Sequence, residues 1–586
     1  MASVSSSENL NVRTKNLATV FVVFAMINST VFGQAPDAPS ILKRVSTAES
    51  PVAQVNSYNR VMENPIQDSS TETMIPADNQ GRYQPGKGWR WDKPQETSQK
   101  QESRAKKVKT DSLRIAPPNA QHASAVRNIQ VKTTNELIRA LRVRGDKRIL
   151  LAQGTYNLSL YANKFPVNRL SGSVHLLGAS CESTKIIGPG TEVKHEFLQL
   201  GKGYGQVSID RIGFENWSTV VRLLENNHDR ISITNCCFSK IANTVGTYNG
   251  KVAHGGIEAL TFRNNRIQSS RLFGINLIYV ANSRLRDIDI SKNVIENIIS
   301  QKSEAVGIGL RAALPTGKVA FTTEDSRLNI SDNTVHNVRK QLAEGATVVD
   351  GIIVDGFKNV TIQDNRVSDV YRNGAAAHGI YVALVDRCLV TGNTMTNCGW
   401  TGFMCKKGWD TKVSNNIIQG SKGSSFSILR GNRITVDSNQ ITNGGNRAMY
   451  IDSVNGLSIV NNVMKNNGVE GIPRAQRGSV FLFSNQDVTF ENNQLQETIA
   501  MAPIRIGGHV GMRNYSIKKN LIHNPNYKVA VEFVFESSIG TGSLDNLAIE
   551  ENSTAKVNKM VAVVSGKMPT SRLIRGNRFQ RRRSQK

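Results

Sequence analysis

The sequence predicts an all-β fold built as a solenoid of stacked coils, and three observations carry that prediction. A segment of the form I-x-x-N recurs as "LTFRNNRI", "IDISKNVI", "LNISDNTV", "VTIQDNRV", "CLVTGNTM", "TKVSNNII", "ITVDSNQI", "LSIVNNVM", "VTFENNQL", "YSIKKNLI", "LAIEENST" and "RLIRGNRF". From Asn393 through Asn416 and Asn439 to Asn462 the step is 23 residues each time, and elsewhere it stretches to as much as 40. Within each segment apolar and polar residues alternate with the period of two that belongs to a strand, which excludes helical repeats. A fixed period of this length with a polar turn in every copy marks a β-solenoid.

Taken in order, the chain opens with Arg13 and Lys15 ahead of the apolar run "LATVFVVFAMI", followed by small residues at Val31 and Gly33. This pattern predicts a secretory signal over 1–33, cut before Gln34. An eleven-residue run is short for a membrane span, so export without a remaining anchor is expected, to the periplasm, the cell surface or the medium. Residues 34–127 are rich in Pro, Ser, Gln and charge and have no sustained apolar period, which predicts a disordered stalk. Thr133 or Thr134 then caps a short helix with Leu137, Ala140 and Leu141 on its apolar face. A helix placed there shields the open end of a solenoid core. The coils occupy 128–580, and a basic tail closes the chain at 581–586. Counting Ala179, Ile212 and Cys236 with the twelve asparagines gives fifteen coils, a rod on the order of 65–70 Å at roughly 4.8 Å per strand.

The repeating asparagines, Asn265 through Asn577, are expected to be scaffold, since amide side chains stacked at one turn of successive coils bond to one another and to the backbone. The six cysteines lack zinc-type spacing and are expected as buried thiols, with Cys398 to Cys405 as a possible local bridge. The net charge of +27 attracts polyanions. For an exported chain these are acidic polysaccharides rather than nucleic acid, and a monomer is expected.

The helix, the "LLAQGTY" strand after it and the I-x-x-N coils resemble the pectate-lyase-like superfamily of right-handed parallel β-helices, built from PbH1-type repeats, over roughly residues 130–580. The resemblance supplies the handedness. It implies an exported protein acting on polyuronic or other polysaccharides, with noncatalytic surface proteins as the alternative.

Each coil carries a second strand upstream of its I-x-x-N strand, among them "GIIVDG", "GIYVAL", "GFMCKK", "SFSILR" and "AMYIDS". Alternation points Ile380, Phe403, Phe426 and Met449 inward, with Val382, Cys405, Ile428 and Ile451 as a second inward stack. The residues between them then face solvent in two columns. One contains Ile353, Tyr381, Met404, Ser427 and Tyr450, and the other Arg311, Asp355, Ala383, Lys406, Leu429 and Asp452. Lys407 and Arg430 lie in register just beyond, and Asp350, His378 and Arg447 on the leading flank. Stacked cations repel unless an anion or a carboxylate such as Asp452 lies between them.

The stretch "KKGWDTKVSNNIIQGSKGSSFSILRGN" is similar to the lysine and arginine coils of the alginate and chondroitin lyase family. The similarity implies Lys406 or Lys407 as the base of a β-elimination and Arg430 as the assisting residue. Tyr381 is a candidate acid, and Arg311, His378, Arg447, Tyr450 and Asp452 are candidate substrate contacts. Two departures stand against it. "LRGN" lacks the histidine of that motif, and "CGWTGF" replaces the acidic pair that holds Ca2+ there, leaving only Asp350 and Asp355 as metal candidates. Hydrolysis through Asp350, Asp355 and Asp452 and binding without turnover are the alternatives. The paired aspartates and "GHG" of the polygalacturonases are missing, and "AHGGI" at 253–257 is a distant echo.

Overall fold

The computed structural model describes residues 82–84, 88–90 and 126–580, apart from 165–166, 169–171, 192–194, 201–205, 225–227, 248–255, 281–283, 302–303, 314–320, 342–347, 373–376, 469–477, 509–510, 535–543 and 566–570. The expected signal segment, most of the expected stalk and the basic tail lie outside the described residues. Within 34–127, strands Arg82–Gln84 and Gly88–Arg90 pair antiparallel. The chain divides into two units, Met1–Gln54 and Val55–Lys586, and all described residues belong to the second.

From Arg127 onward the second unit is a parallel β-helix. One face of the solenoid is a continuous sheet of sixteen strands, from Gly154–Asn157 to Arg578–Gln580. That is one rung more than the fifteen the asparagine pattern predicts. The extra rung is the first, "GTYN", which no I-x-x-N segment precedes.

The other two faces meet at left-handed corners, and over Ala377–Thr391, Thr401–Ser414, Ser424–Asp437 and Arg447–Val460 single long strands run through both faces. Leu384, Lys407, Arg430 and Ser453 take φ of 46°, 61°, 63° and 57° at the first corner, and Arg387, Asp410, Arg433 and Gly456 take 52°, 45°, 53° and 72° at the second. A single αL residue between extended residues turns the chain sharply without breaking the ladder on either side, which lets three flat faces enclose one core.

That core is filled by in-register stacks. Ile380, Phe403, Phe426 and Met449 are adjacent on successive coils, as are Val382, Cys405, Ile428 and Ile451, and all eight are fully buried. Phe403 and Phe426 approach at 5.0 Å between ring centroids, and Phe214, Phe238 and Phe262 stack at 5.5 and 6.1 Å. Both inward stacks predicted from the sequence are present.

The asparagine ladder runs unbroken from Asn265 to Asn577. At a typical rung the Asn416 backbone N–H and Nδ2 both donate to Asn439 Oδ1, at 3.0 and 2.9 Å, while Nδ2 also donates to Val390 O at 3.0 Å. Each amide thus satisfies backbone groups on two neighbouring coils, a requirement for polar atoms with no access to water. Upstream the column continues with buried Cys236, whose N–H donates to Asn265 Oδ1 at 2.9 Å, and with buried Ile212.

The helix Thr134–Arg142 covers the first coils with buried Leu137, Ile138, Ala140 and Leu141. Thr133 is its N-cap and forms a reciprocal capping box with Glu136. The cysteine expectation needs one correction: Cys181 and Cys237 form the disulfide, while Cys398 and Cys405 are both free and buried along with Cys236 and Cys388. Cys405 belongs to an inward core stack, so its thiol is committed to packing. Cys181 and Cys237 lie outside that stack, two coils apart on either side of Gly213.

Candidate functional site

The two predicted columns of the upstream face are in register. Ile353, Tyr381, Met404, Ser427, Tyr450 and Phe481 are successive partners, and so are Arg311, Asp355, Ala383, Lys406, Leu429 and Asp452. Their side chains point away from the core, but the expectation that they face open solvent is corrected. Ile353 is only 3% exposed, Ser427 3% and Phe481 5%. Large side chains shade one another, across coils as in the 5.9 Å approach of Tyr450 to Phe481 and along one strand as in the 5.2 Å approach of His378 to Tyr381. The strip is therefore a half-buried layer of polar and aromatic groups, with Lys406 and Arg430 exposed beside it.

Lys407 and Arg430 occupy the same αL corner on adjacent coils, flanked by the pairs Lys406 with Leu429 and Gly408 with Gly431. Burial, then the neighbouring charges of Arg430 and Lys406, hold the Lys407 ammonium below its ordinary value, and Asp355 opposes them. The carboxylate facing these cations is Asp355, not Asp452. In the column Asp355 is separated from Lys406 only by Ala383, whose small side chain leaves the approach open. Burial pushes the Asp355 carboxyl up to about 7 against the pull of Arg311, Lys406 and Lys407. Arg311 is also tied to Glu304 at 3.0 Å.

Asp452 is turned elsewhere. It accepts from Ser453 Oγ at 2.7 Å and interacts with Tyr450, two residues before it on the same side of the strand. Burial first and Asp452 second raise the Tyr450 phenol, with Arg447 opposing. Arg447 is 5% exposed and lies against the Tyr450 and Phe481 rings, at 5.1 and 5.5 Å from their centroids. Burial lowers its guanidinium to about 10, so it stays charged at neutral pH and braces the aromatic pair. Tyr381 lies between the two ends of the site. Its phenol is raised far above the ordinary range by burial, then by Asp355 and Asp350, with Arg311 opposing.

Asp350 is fully buried and its Oδ1 lies 2.8 Å from His378 Nδ1. It is therefore not presented to bulk solvent as a calcium ligand, and it does not form an open carboxylate pair with Asp355. Among the described residues, the group of acidic, cysteine and histidine ligands close enough to hold a metal ion is Cys181, Glu182 and Cys237. Its two sulfurs are joined in the disulfide, which removes them as thiolate ligands.

Several contacts escaped the sequence reading. Asp350 and His378 are 28 residues apart and meet because that is the local coil length. Phe321 packs edge-on against Trp409 at 5.6 Å, just beyond the cationic corner. Arg505 continues the aromatic column after Phe481 and is paired with Glu532 at 2.8 Å, both 1% exposed. Register counting from the "GIYVAL" strand would have found the first, while the others depend on loop lengths that vary from coil to coil. A concavity of about 730 Å³ lies on the adjacent face, lined by Asp287, Asp289, Glu324, Asp325 and Arg387 among others. Glu324 is paired there with Lys358 and Arg387, Asp325 with Arg284 and Asp289 with Arg263.

With this geometry in place, residues 350–473 match the family described as the right handed beta helix region. The chain is a right-handed parallel β-helix protein, and the matched segment spans the corner that carries Lys407 and Arg430. No curated protein matches the chain in sequence. Solved structures similar to it include the catalytic unit of a thermostable GH87 alpha-1,3-glucanase from Streptomyces thermodiastaticus strain HF3-3, at 10% identity over 78% of this chain and 69% of that one, with a TM-score of 0.30. A GH87 alpha-1,3-glucanase catalytic domain in complex with nigerose is similar at 14% identity, over 79% and 70% of the two chains, with a TM-score of 0.26. An alginate lyase from Paenibacillus sp. str. FPU-7 is similar at 12% identity, over 75% of this chain and 99% of that one, with a TM-score of 0.20. Identities and superpositions this low carry no information on substrate or activity. No helix among the described residues is long and apolar enough to cross a membrane.

Proposed function

We propose that this protein is exported, acts on an acidic, uronate-containing polysaccharide and cleaves it by β-elimination. The observation that carries the reading is the corner at which Lys407, its ammonium depressed by burial and by two neighbouring cations, stands beside Arg430, Lys406 and Asp355. Elimination from a uronate needs a base for the proton next to the carboxylate and positive charge to hold that carboxylate as the carbanion develops. Lys407 fits the base better than Lys406, which is exposed. Arg430, Lys406 and Arg311 are the charges within reach of a bound carboxylate. Tyr381, kept protonated by its surroundings, is the acid for the leaving oxygen.

One observation favours a second reading. A carboxyl pushed up to about 7, as Asp355 is, suits the general acid of a glycoside hydrolase. The test is a screen of alginate, pectate, chondroitin and neutral glycans that follows both reducing ends and the absorbance of the unsaturated sugar. Elimination requires the chromophore, and it requires Lys407→Met and Arg430→Met to abolish it in folded protein. Reducing ends without the chromophore, lost in Asp355→Asn, would establish hydrolysis instead. Salt-sensitive binding without products would leave a surface-binding protein.

A further inference from the structure

We infer that Asp350 and His378 form a proton-supplying pair that serves Tyr381, an assignment that rests on the elimination reading above. The Asp350 carboxylate is fully buried, one oxygen is bonded to His378 Nδ1 at 2.8 Å, and the other oxygen is buried with no partner. Leaving a buried carboxylate oxygen unsatisfied is destabilising, so the group is not there for stability. Nor does the coil require it. The same position is Val306 on the preceding coil and Thr401 on the coil after His378.

The bond to Nδ1 fixes the imidazole, and Nε2 has no partner among the described residues. The His378 ring lies 5.2 Å from the Tyr381 ring, tilted by 31°. A buried carboxylate that fixes one imidazole nitrogen and leaves the other unpartnered, on a ring packed against a tyrosine ring, is an arrangement for moving protons through an intervening water. Tyr381 has particular need of one. Its burial and the nearby Asp355 and Asp350 all oppose the phenolate, so a Tyr381 that has given up its proton must regain one at once.

In the elimination the Lys407 amine takes the proton next to the uronate carboxylate. The C–H electron pair becomes the ring double bond, and the C–O bond to the leaving sugar breaks with its pair on oxygen. Tyr381 gives its hydroxyl proton to that oxygen. With Nδ1–H held by Asp350, the ring carries an Nε2 proton only as the imidazolium; in that form His378 returns the Nε2 proton to Tyr381 through one water, becomes the neutral imidazole, and takes a proton from solvent while Lys407 releases its own there. No group is oxidised or reduced. His378 and Asp350 are positioning residues in this scheme, since both act through Tyr381.

The experiment measures elimination kinetics for wild type, His378→Ala, His378→Gln and Asp350→Asn on whichever uronan the wild type cleaves. The expected result is a fall in kcat of about 10²-fold for both histidine variants, with KM within about twofold of wild type. Added imidazole should restore turnover to His378→Ala, whose cavity admits it, and not to His378→Gln. Asp350→Asn should keep the orientation of the ring and lose less. Wild-type kcat in His378→Gln, or a His378→Ala defect that imidazole does not relieve in protein melting like wild type, would overturn the pairing and leave the elimination reading standing. Absence of unsaturated product from wild type on every uronan would overturn the elimination reading itself and this relay with it.

Discussion

Replacing Asn439 by Leu tests whether the ladder holds the solenoid together. Asn439 is fully buried, accepts at Oδ1 from the Asn416 N–H and Nδ2, and donates from Nδ2 to Val413 O at 3.0 Å and to Asn462 Oδ1 at 2.9 Å. After the substitution Asn416 Nδ2 keeps Val390 O and Ser414 O, and Asn462 Oδ1 keeps the residue 439 backbone N–H. The Asn416 N–H loses its acceptor and Val413 O loses its side-chain donor. Two buried groups at about 1–3 kcal/mol each give a loss of about 2–6 kcal/mol. Asn577, the last rung, is only half-buried, so water can replace what it gives up and Asn577→Leu should cost about 1 kcal/mol. Urea melts supply the totals. Hydrogen exchange should show the loss concentrated on the coils that flank Asn439, because a solenoid passes stability between nearest neighbours. A loss below about 0.5 kcal/mol for Asn439→Leu, or equal losses at both positions, would refute the argument.

Two further perturbations follow from the strip. Because burial raises the folded Asp355 carboxyl to about 7, the folded state binds a proton that the unfolded state releases near pH 4. Stability should fall as pH rises from about 4 to 7, by no more than about 4 kcal/mol, and thermal melts of Asp355→Asn should lack that slope. Arg505→Met removes the cation from Glu532, 1% exposed, and leaves the carboxylate only the Tyr527 hydroxyl among the described residues; it should cost about 3–5 kcal/mol in urea melts, and the double variant with Glu532→Met should recover part of that loss.

The fold was legible because its requirements repeat. A coil must satisfy the same buried turn and fill the same core position every time, so the asparagines from Asn265 to Asn577 and the stacks through Phe403 and Cys405 could be read directly. The first rung at Gly154–Asn157 was missed because an end coil lacks the ladder residue that marks the others. Site direction was legible from strand alternation, which put Tyr381, Lys406 and Tyr450 outside the core. Burial and pairing were not. They depend on which side chains shade one another across coils of unequal length, and this is why Asp452 was assigned to the cations that Asp355 faces. Cys398 and Cys405 looked like partners because they are close in sequence, but the disulfide joins Cys181 to Cys237, 56 residues and two coils apart, across Gly213.

The corner itself separates what the scaffold demands from what it permits. Along the column that contains Lys407 and Arg430 the residues are Gly356, Leu384, Lys407, Arg430, Ser453 and Ser484, all with positive φ. The only common requirement is tolerance of the left-handed region, which glycine meets freely and other residues meet at a cost of roughly 1–2 kcal/mol. Packing does not call for a long side chain there, because the neighbouring corner residues are small or apolar. Two adjacent coils nevertheless carry two long cations in register, accepting backbone strain and mutual repulsion together. Long cations stand at other left-handed positions too, among them Arg211, Lys292, Arg387, Arg433 and Lys519, so what sets this corner apart is the register of two cations on adjacent coils. The repulsion between them is partly offset by the Asp355 carboxyl, and that residual excess of positive charge is what supports the proposal that an anionic ligand binds at this corner.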